Sequence, residues 1–334
     1  MHRILAFWSL NGELTKEGLR RRIDDFRTAG IGGFFLHARA GLTTEYLSEK
    51  WFDLLRYAAE YAYSIGLDAW LYDENGWPSG YAGGRVPKMN PSYRQSWISF
   101  VSSADVGEGD EVVAVDNARD RAAVRRYNPY YSNLLDEGAV DAFIETTYEA
   151  YRRHMGDLFG TAVKGFFTDE PQLSGRGYPV YDGLFSDFEA RYGYSLRERL
   201  FDLTEDGANQ TKYDYRRWIS ERYADTYAAR LGRWCESHGL IFTGHMAAED
   251  GMYTQVQTQG DIMPNYRYFT LPGIDVLTAK EPKLTLLKQV SSVSEQLGKC
   301  GVLAETFGTS GHTATPEELL RVFFTESMHG VNVA

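Results

Sequence analysis

The sequence predicts an α/β protein with the architecture of a (β/α)8 barrel of the TIM type, truncated near strand eight. Short apolar runs that suit buried parallel strands alternate with amphipathic helical stretches, and seven such units are followed by the start of an eighth strand. A doubly wound sheet rarely needs so many units. Polar residues also collect at the C-terminal ends of the predicted strands, which is where barrel enzymes place their active sites.

The first three strands alternate regularly with two helices. The predicted strands cover 4–10, 31–37 and 67–72, and the predicted helices cover 18–28 and 48–65. The second helix has Phe52, Leu55, Ala59 and Ala62 at helical spacing, and Gly66 directly after it can end a helix.

The alternation stops between Gly76 and Glu137. A loop rich in glycine and proline comes first, and runs typical of short strands follow at 97–101, 111–115 and 122–127. We therefore predict a small β-rich insertion after strand three, at about 85–137, within a single catalytic barrel that spans residues 1–334.

The second half of the chain restores the alternation. Predicted helices cover 140–159, 185–203, 213–237, 286–297 and 316–329, and strands four to eight cover 163–168, 240–245, 273–277, 302–305 and 331–334. A barrel without a complete eighth strand and its helix would leave sheet edges uncovered. The native chain is therefore expected to continue into further domains.

The bulk composition excludes some partners. A net charge of −11 over 334 residues argues against nucleic-acid binding, which depends on clustered Lys and Arg. The apolar start of the chain becomes polar at Asn11, so it is too short for an export signal or a membrane span. We expect a soluble, cytoplasmic protein with no membrane partner. The two cysteines, Cys235 and Cys300, are expected to be ordinary buried thiols.

Two glutamates are the predicted catalytic residues. Glu170 and Glu305 each end a short apolar strand, so a barrel would bring both to one mouth. Pro171 is expected to hold Glu170 in extended geometry and to project its carboxyl group outward. Cleavage of a glycosidic bond requires two convergent carboxylates. Their separation determines whether the anomeric configuration is retained or inverted.

Further polar and aromatic side chains at the same strand ends and loops are predicted to bind an oligosaccharide or glycoside substrate. The segment 73–80 combines two acids, an amide and an indole, which suits it to hold sugar hydroxyl groups against a stacked ring. The predicted substrate-binding residues are Trp8, Asn11, His37, Arg39, Asp73, Glu74, Trp77, Asp169, His245, Tyr266 and His312.

Two other functions compete with hydrolysis. A metal-dependent isomerase or lyase would use His37, Asp73, His245 and Glu305 as ligands, and a non-catalytic barrel would bind glycan through Trp8 and Trp77. No spaced metal signature supports a metal site, so no metal is predicted, with Ca²⁺ held by acidic oxygens as the secondary option.

Three segments resemble a known family of enzymes. Residues 34–42, 72–80 and 167–171 are similar to bacterial glycoside hydrolases related to the α-L-rhamnosidase family numbered 106, and the block Asp-Glu-Asn-Gly-Trp-Pro-Ser-Gly at 73–80 is the most specific part. The resemblance covers essentially the whole chain. It implies a barrel with a carboxylate pair, here Glu170 and Glu305, inverting chemistry, further β-rich domains and, in the rhamnosidases, a bound Ca²⁺. The expected function is that of a glycosidase, with α-L-rhamnosidase-like specificity.

Overall fold

The computed structural model describes residues 4–173 and 176–334. Its strands, numbered in chain order, are β1 (Leu5–Gly12), β2 (Gly33–Leu42), β3 (Asp68–Asn75), β4 (Arg94–Ser102), β5 (Glu111–Asp116), β6 (Arg121–Ser132), β7 (Val163–Asp169), β8 (Tyr178–Val180), β9 (Ile241–His245), β10 (Leu271–Val276), β11 (Val302–Thr306) and β12 (Val331–Val333). The α-helices are α1 (Lys16–Thr28), α2 (Glu49–Ser64), α3 (Val86–Met89), α4 (Glu137–Thr146), α5 (Tyr148–Met155), α6 (Leu184–Tyr192), α7 (Gln210–Tyr223), α8 (Ala229–Ser237), α9 (Met252–Thr258), α10 (Met263–Tyr266), α11 (Leu284–Gln296) and α12 (Pro316–Met328).

Eight of the strands form one parallel sheet in the order β1-β2-β3-β7-β9-β10-β11-β12. The sheet curls until its first and last strands approach each other. The backbone N–H of Leu5 donates a 2.7 Å hydrogen bond to the carbonyl oxygen of Ala334, which follows β12. The α/β class and the eight parallel strands predicted from the sequence are therefore confirmed, although β12 contains only three residues.

The two faces of the curled sheet have different neighbours. Alternate residues of each strand face opposite sides. The inner face carries an apolar cluster that includes Leu5, Phe35, Tyr72, Phe167 and Leu303. The outer face packs against the helices and belongs to a larger, continuous core. The inner face of the sheet is therefore apolar at this level, and its polar groups lie nearer the strand ends.

The helices begin where short polar side chains can cap them. The hydroxyl group of Thr15 accepts a hydrogen bond from the N–H of Gly18 at the start of α1, and Ser48 does the same for Trp51 at the start of α2. Thr315 and Glu318 form a reciprocal capping box at the start of α12. Within the described residues, no helix is both long and apolar enough to cross a membrane.

The predicted β-rich element after strand three is present as a four-stranded antiparallel sheet in the order β5-β6-β4-β8. Strands β4, β5 and β6 come from the predicted insertion. Strand β8 comes from the segment after β7 and was not predicted, because three residues that include Pro179 give no strand pattern.

Several predicted elements differ in detail. The helix expected at 140–159 divides into α4 and α5 at Thr147, whose hydroxyl group donates to the carbonyl oxygen of Phe143. A π-helical turn at 224–228 separates α7 from α8. The segment 251–268, to which the sequence analysis assigns no helix or strand, contains the short helices α9 and α10. Their polar sequence gives them no apolar stripe that the sequence analysis could detect.

Candidate active site

The candidate site lies at the carboxyl ends of the parallel strands, directly above the inner apolar cluster. Phe35, Phe167 and Leu303 belong to that cluster, so residues two positions further along each strand share their face. These residues are His37, Asp169 and Glu305. His245 on β9 and Asp275 on β10 complete a ring of polar groups around the same interior.

His245 is the central contact of this ring. Its side chain is 1% exposed, and its Nε2 lies 3.1 Å from Oε2 of Glu305 and 3.4 Å from Oδ1 of Asp169. The other oxygen of Asp169 accepts a 2.6 Å hydrogen bond from the hydroxyl group of Tyr72. One imidazole therefore bridges carboxylates from two strands that do not pair with each other.

The surroundings favour the positively charged form of His245. Burial lowers the pKa of His245, but the hydrogen bond to Glu305 and the negative charges of Asp275, Asp169 and Glu249 outweigh it, so the net pKa lies well above 6.5. The imidazolium then forms ion pairs with Glu305 and Asp169 that are almost completely shielded from solvent.

Three neighbouring acids hold protons more tightly than usual. Burial is the main cause, and it raises the pKa of Asp169 to about 6, of Asp275 to about 7 and of Glu249 to about 8, although His245 opposes the rise in each. Glu249 accepts a 2.7 Å hydrogen bond from the hydroxyl group of Tyr266 and another from the backbone N–H of Asp275. The site therefore gathers more carboxyl groups than one cation can balance.

Glu170 lies on the turn after β7. Its Oε2 accepts a 2.7 Å hydrogen bond from the indole Nε1 of Trp77, and its backbone N–H donates a 3.2 Å hydrogen bond to the carbonyl oxygen of His245. Its φ is +41°, so the extended geometry predicted from Pro171 is wrong. The contacts to Trp77 and His245 hold the residue in this uncommon conformation.

The structure brings Glu170 and Glu305 to the same imidazole. A carboxylate oxygen of Glu170 lies within 4.8 Å of a ring nitrogen of His245 and of an oxygen of Asp275. Glu305 contacts His245 directly. Two acids that are far apart in the sequence thus share a neighbour at one end of the sheet.

Asp73 and Glu74 occupy positions that differ from the expected substrate contacts. Both are completely buried. Asp73 accepts a 2.5 Å hydrogen bond from Ser79 and a 2.8 Å hydrogen bond from the hydroxyl group of Tyr148, which is on α5 outside the sheet. Both side chains lie behind the loop with no exposed surface, and their carboxylate oxygens accept hydrogen bonds from other groups of the protein.

Glu74 holds the loop that carries Trp77. Its carboxylate accepts hydrogen bonds from backbone N–H groups along residues 75–83, namely those of Asn75, Gly80, Tyr81, Ala82 and Gly83. A carboxylate enclosed by backbone donors in this way stabilises a turn. The expected contact of Glu74 with sugar hydroxyl groups is therefore corrected to a structural role.

His37 and Arg39 lie on the inner side of β2. His37 is buried and stacks on Tyr72 with ring centroids 3.5 Å apart, and Arg39 Nη1 lies 3.5 Å from its Nε2. Burial and the charge of Arg39 lower the pKa of His37 to about 3, so its ring is neutral. Arg39 itself is exposed at the open end.

The remaining predicted residues do not form one group. Trp8 packs edge-on against Phe26 and Phe34 on the outer face of the sheet, so its predicted place in the site is wrong. Tyr266 is completely buried and contacts Glu249 instead of the open end. Asn11 is exposed near the end of β1, and His312 is exposed in the segment after β11.

The sequence analysis missed Asp275 and Glu249. Asp275 lies inside the predicted strand 273–277, and only residues at strand ends were considered. The alternation of β10 is the signal that could have found it, since Asp275 is two positions after the inward-facing Gly273. Glu249 lies in a loop, where the sequence gives no such signal.

Two cavities open at the carboxyl ends of the strands. The larger has a volume of about 530 Å³ and is lined by residues of β1, β2 and β11, including Ser9, Arg39 and Glu305. The smaller, of about 200 Å³, lies beside Glu170 and is lined by Gln172 and Gln259 among others. The two glutamates therefore line different cavities.

Among the described residues, two sets of side chains could hold a metal ion. Asp169, His245 and Glu305 form one set, and Glu170, His245 and Asp275 form the other, with ligand atoms in each set within 4.8 Å of one another. Both sets include an imidazole nitrogen, whereas Ca²⁺ takes oxygen ligands. The donors therefore do not fit the Ca²⁺ implied by the resemblance to rhamnosidases.

Comparison with solved structures shows a shared fold. The rhamnosidase from Novosphingobium sp. PP1Y matches with a TM-score of 0.74 and 14% sequence identity, over 100% of this chain and 55% of that chain. The PgaB (BpsB) glycoside hydrolase domain from Bordetella bronchiseptica matches with a TM-score of 0.55 and 10% identity, over 100% of this chain and 93% of that chain. These likenesses confirm a fold shared with glycoside hydrolases, and they do not single out family 106.

Sequence comparison finds a distant relative whose name also describes a glycosidase. A protein of Formosa agariphila named "Putative beta-glucuronidase" is 29% identical over 196 residues, which are 54% of this chain and 15% of that protein. No protein-family model matches the chain. The chain spans about half the length of the rhamnosidase and a smaller part of the Formosa protein.

Proposed function

We propose that this chain is the catalytic (β/α)8-type barrel of a glycoside hydrolase that cleaves a glycosidic bond with Glu170 and Glu305. The observation that carries the proposal is the convergence of both glutamates on His245 at the carboxyl ends of the parallel strands. The fold shared with a rhamnosidase and with the PgaB glycoside hydrolase domain supports the same function.

Glu170 acts as the general acid in this proposal. It gives its proton to the oxygen of the leaving group as the glycosidic bond breaks. The indole N–H of Trp77 orients the carboxyl group through Oε2 and leaves Oε1 for the substrate.

Glu305 acts at the anomeric carbon as the ionised partner. The imidazolium of His245 balances its charge and fixes its orientation. With carboxyl groups about 5 Å apart, Glu305 would attack directly and the anomeric configuration would be retained; at about 6.5–9.5 Å it would activate a water molecule and invert the configuration.

The acidic surroundings favour a neutral sugar in the site. Asp169 and Glu305 already share one cationic histidine, and a uronic acid would bring a further negative charge to this group. We therefore propose α-L-rhamnoside-like specificity ahead of glucuronide specificity, with Arg39 at the open end as the residue that binds hydroxyl groups of the sugar.

The direct test is a panel of 4-nitrophenyl glycosides that includes the α-L-rhamnoside and the β-D-glucuronide. The proposal expects one glycoside to be hydrolysed, with the rhamnoside preferred. It expects Glu305→Gln to lose activity on this panel and Glu170→Gln to lose activity on an unactivated glycoside, while both variants stay folded. Loss of the general acid should lower kcat on unactivated glycosides by about 10²- to 10⁴-fold. The matched control is Glu60→Gln on the outer surface of α2. Hydrolysis of no glycoside by the wild-type protein, or wild-type rates in Glu170→Gln on an unactivated substrate, would overturn the proposal.

A second candidate function is a metal-dependent sugar isomerase or lyase. The set of Asp169, His245 and Glu305 favours it, because an imidazole and two carboxylates could hold a divalent transition metal. This function predicts activity on free sugars that chelators abolish. The glycosidase proposal predicts hydrolysis that chelators leave unchanged.

A further inference from the structure

A third cavity, of about 560 Å³, lies on the antiparallel sheet and is not part of the site described above. Its size is within the range of ~300–1,000 Å³ that is usual for ligand pockets. The side chains that line it combine aromatic rings with amides, among them Gln95, Trp97, Tyr127, Asn128, Tyr130 and Gln172. Aromatic faces and amide groups together suit the apolar faces and the hydroxyl groups of sugars.

A bulge in β6 presents Tyr130 to this cavity. Arg94 pairs with Ser132 and the next residue, Gln95, pairs with Asn128, so residues 129–131 loop out of the sheet. The N–H of Tyr130 donates a 3.0 Å hydrogen bond to the side-chain oxygen of Asn128, and its own side chain is 77% exposed. The ring of Tyr130 is therefore held on a fixed backbone while its faces stay open to solvent.

The next residue, Tyr131, anchors the bulge to the candidate active site. Its side chain is buried, and its hydroxyl group donates to the carbonyl oxygen of Ser79 in the loop that carries Trp77. The same hydroxyl group accepts a 3.1 Å hydrogen bond from the backbone N–H of Gln172. Two residues before Gln172 stands Glu170, the proposed acid.

A row of hydrogen-bonded amides connects the bulge to the segment that follows Glu170. Asn128 donates to the side-chain oxygen of Gln95 at 3.3 Å, and Gln95 donates to the carbonyl oxygen of Gln172 at 3.3 Å. Gln172 lines both this cavity and the small cavity beside Glu170. A ligand that leaves Glu170 along Gln172 therefore reaches Tyr130 without crossing the core.

We propose that this aromatic surface on the antiparallel sheet binds the leaving-group side of an oligosaccharide substrate. The inference rests on the proposed function, because the acid protonates the leaving oxygen and so the leaving group lies beside Glu170. The small cavity holds the first sugar unit after the cleaved bond, and the ring of Tyr130 stacks on a later unit. The substrate class is thus an oligosaccharide with at least two units on the leaving side, in preference to a glycoside with a small aglycone.

The test is binding to an array of immobilised plant and bacterial oligosaccharides of two to six units, with Glu305→Gln as the parent protein so that bound glycans are not cleaved. We expect binding to glycans of three or more units, and we expect Tyr130→Ala in the same background to weaken it about tenfold, which is the effect of losing one stacked ring. Tyr130→Phe keeps the ring and should keep the affinity. Tyr63→Ala removes a tyrosine that is 56% exposed on the distant helix α2, and it should also leave binding unchanged.

Equal binding by the parent and by Tyr130→Ala would overturn the inference, and so would retention of no glycan on the array. Either result leaves the proposed function standing if 4-nitrophenyl glycosides are hydrolysed. Conversely, glycan binding that depends on Tyr130 in a protein that hydrolyses nothing would support the binding surface and overturn the catalytic proposal. The two failures are therefore distinguishable.

Discussion

The indole Nε1 of Trp77 donates a 2.7 Å hydrogen bond to Oε2 of Glu170, although 93 positions separate the two residues. Each residue lies in a loop with its own anchor. The carboxylate of Glu74 accepts hydrogen bonds from the loop that carries Trp77. The carbonyl oxygen of His245 accepts a hydrogen bond from the backbone N–H of Glu170. The orientation of the proposed acid thus depends on contacts from three separate parts of the chain.

Replacing Trp77 with phenylalanine tests this relationship. Trp77→Phe keeps an aromatic ring but removes the N–H donor. Glu170 is protonated when it acts as the acid, and a hydrogen bond to a neutral group contributes about 0.5–1.5 kcal/mol, so kcat/KM on an unactivated glycoside should fall roughly 2- to 10-fold. Steady-state kinetics measure the effect. Trp218→Phe is the control, since it removes an indole N–H that donates to Tyr181 on the outside of the sheet. Equal kinetics in the two variants would contradict a role of Trp77 in orienting Glu170.

The anchor beneath Trp77 gives a second prediction. Glu74→Gln replaces one acceptor oxygen with an NH₂ group that faces backbone donors, so the loop loses the two or three hydrogen bonds made to that oxygen. We expect the free energy of unfolding to fall by roughly 2–4 kcal/mol. Denaturation in urea measures it. Glu60→Gln breaks only a surface ion pair with Arg56 and should cost less than about 1 kcal/mol. If both variants are equally stable, Glu74 does not hold the loop.

The strands and helices could be predicted from the sequence because they depend on local periodicity. The predicted strand at 163–168 and the observed β7, for example, differ by one residue. The position of Trp8 could not be predicted in the same way. Its strand was recognised, but alternation along β1 places Phe7 inside the sheet and Trp8 outside, and the apolar run at 4–8 does not show which face is which.

For the polar residues of the candidate site, too, the sequence predicted positions in strands but not the contacts of the side chains. Glu170 and Glu305 could be identified because each ends an apolar strand. The roles of Glu74 and Asp275 depend on how loops and neighbouring strands surround them, and these contacts join residues that are distant in the sequence. Glu74, which holds a loop, and Glu305, which we propose to act on the substrate, are the same residue type. The sequence alone does not distinguish them, whereas their burial in the structure does.

The ion pairs of His245 lead to a third prediction. His245→Gln removes the positive charge between Asp169 and Glu305, so two carboxylates face each other without a cation. We expect kcat/KM to fall on the order of 100-fold or more, because Glu305 loses both its orientation and its counter-charge. His238→Gln on the helix side of the sheet is the control, as His238 stacks on Trp234 away from the site. Circular dichroism shows whether both variants are folded. Activity near that of the wild type in folded His245→Gln would contradict the role of the ion pair.

The same ion pair predicts the metal content. A divalent cation between Asp169 and Glu305 would need the Nε2 lone pair of His245 and would have to displace the proton that the raised pKa of this histidine favours. Mass spectrometry of protein never exposed to chelator should find less than about a tenth of an equivalent of transition metal. Hydrolysis should also survive treatment with EDTA. Nearly one equivalent of metal, together with activity lost to EDTA, would instead support the isomerase or lyase.

The buried acids predict an unusual dependence of stability on pH. Burial raises the pKa of Asp73 to about 8, against an unfolded value near 4, although hydrogen bonds from Ser79 and Tyr148 oppose the rise. Between these two values the folded state binds more protons than the unfolded state. The free energy of unfolding therefore falls as the pH rises from about 4 to about 8, by up to about 1.4 kcal/mol per pH unit for one group. Asp169, Asp275 and Glu249 contribute with the same sign.

Asp73→Asn isolates the contribution of this carboxyl group. Asparagine resembles the protonated acid and does not titrate, so the variant should lose less stability than the wild type between pH 5 and about pH 8. Urea denaturation at several pH values measures the slope. Tyr148→Phe removes a hydroxyl donor to Asp73 but keeps the titrating group, so its slope should persist even if its stability is lower. Identical slopes in Asp73→Asn and the wild type would mean that Asp73 stays ionised in the folded protein. In that case the hydrogen bonds from Ser79 and Tyr148, and not burial, would dominate its pKa.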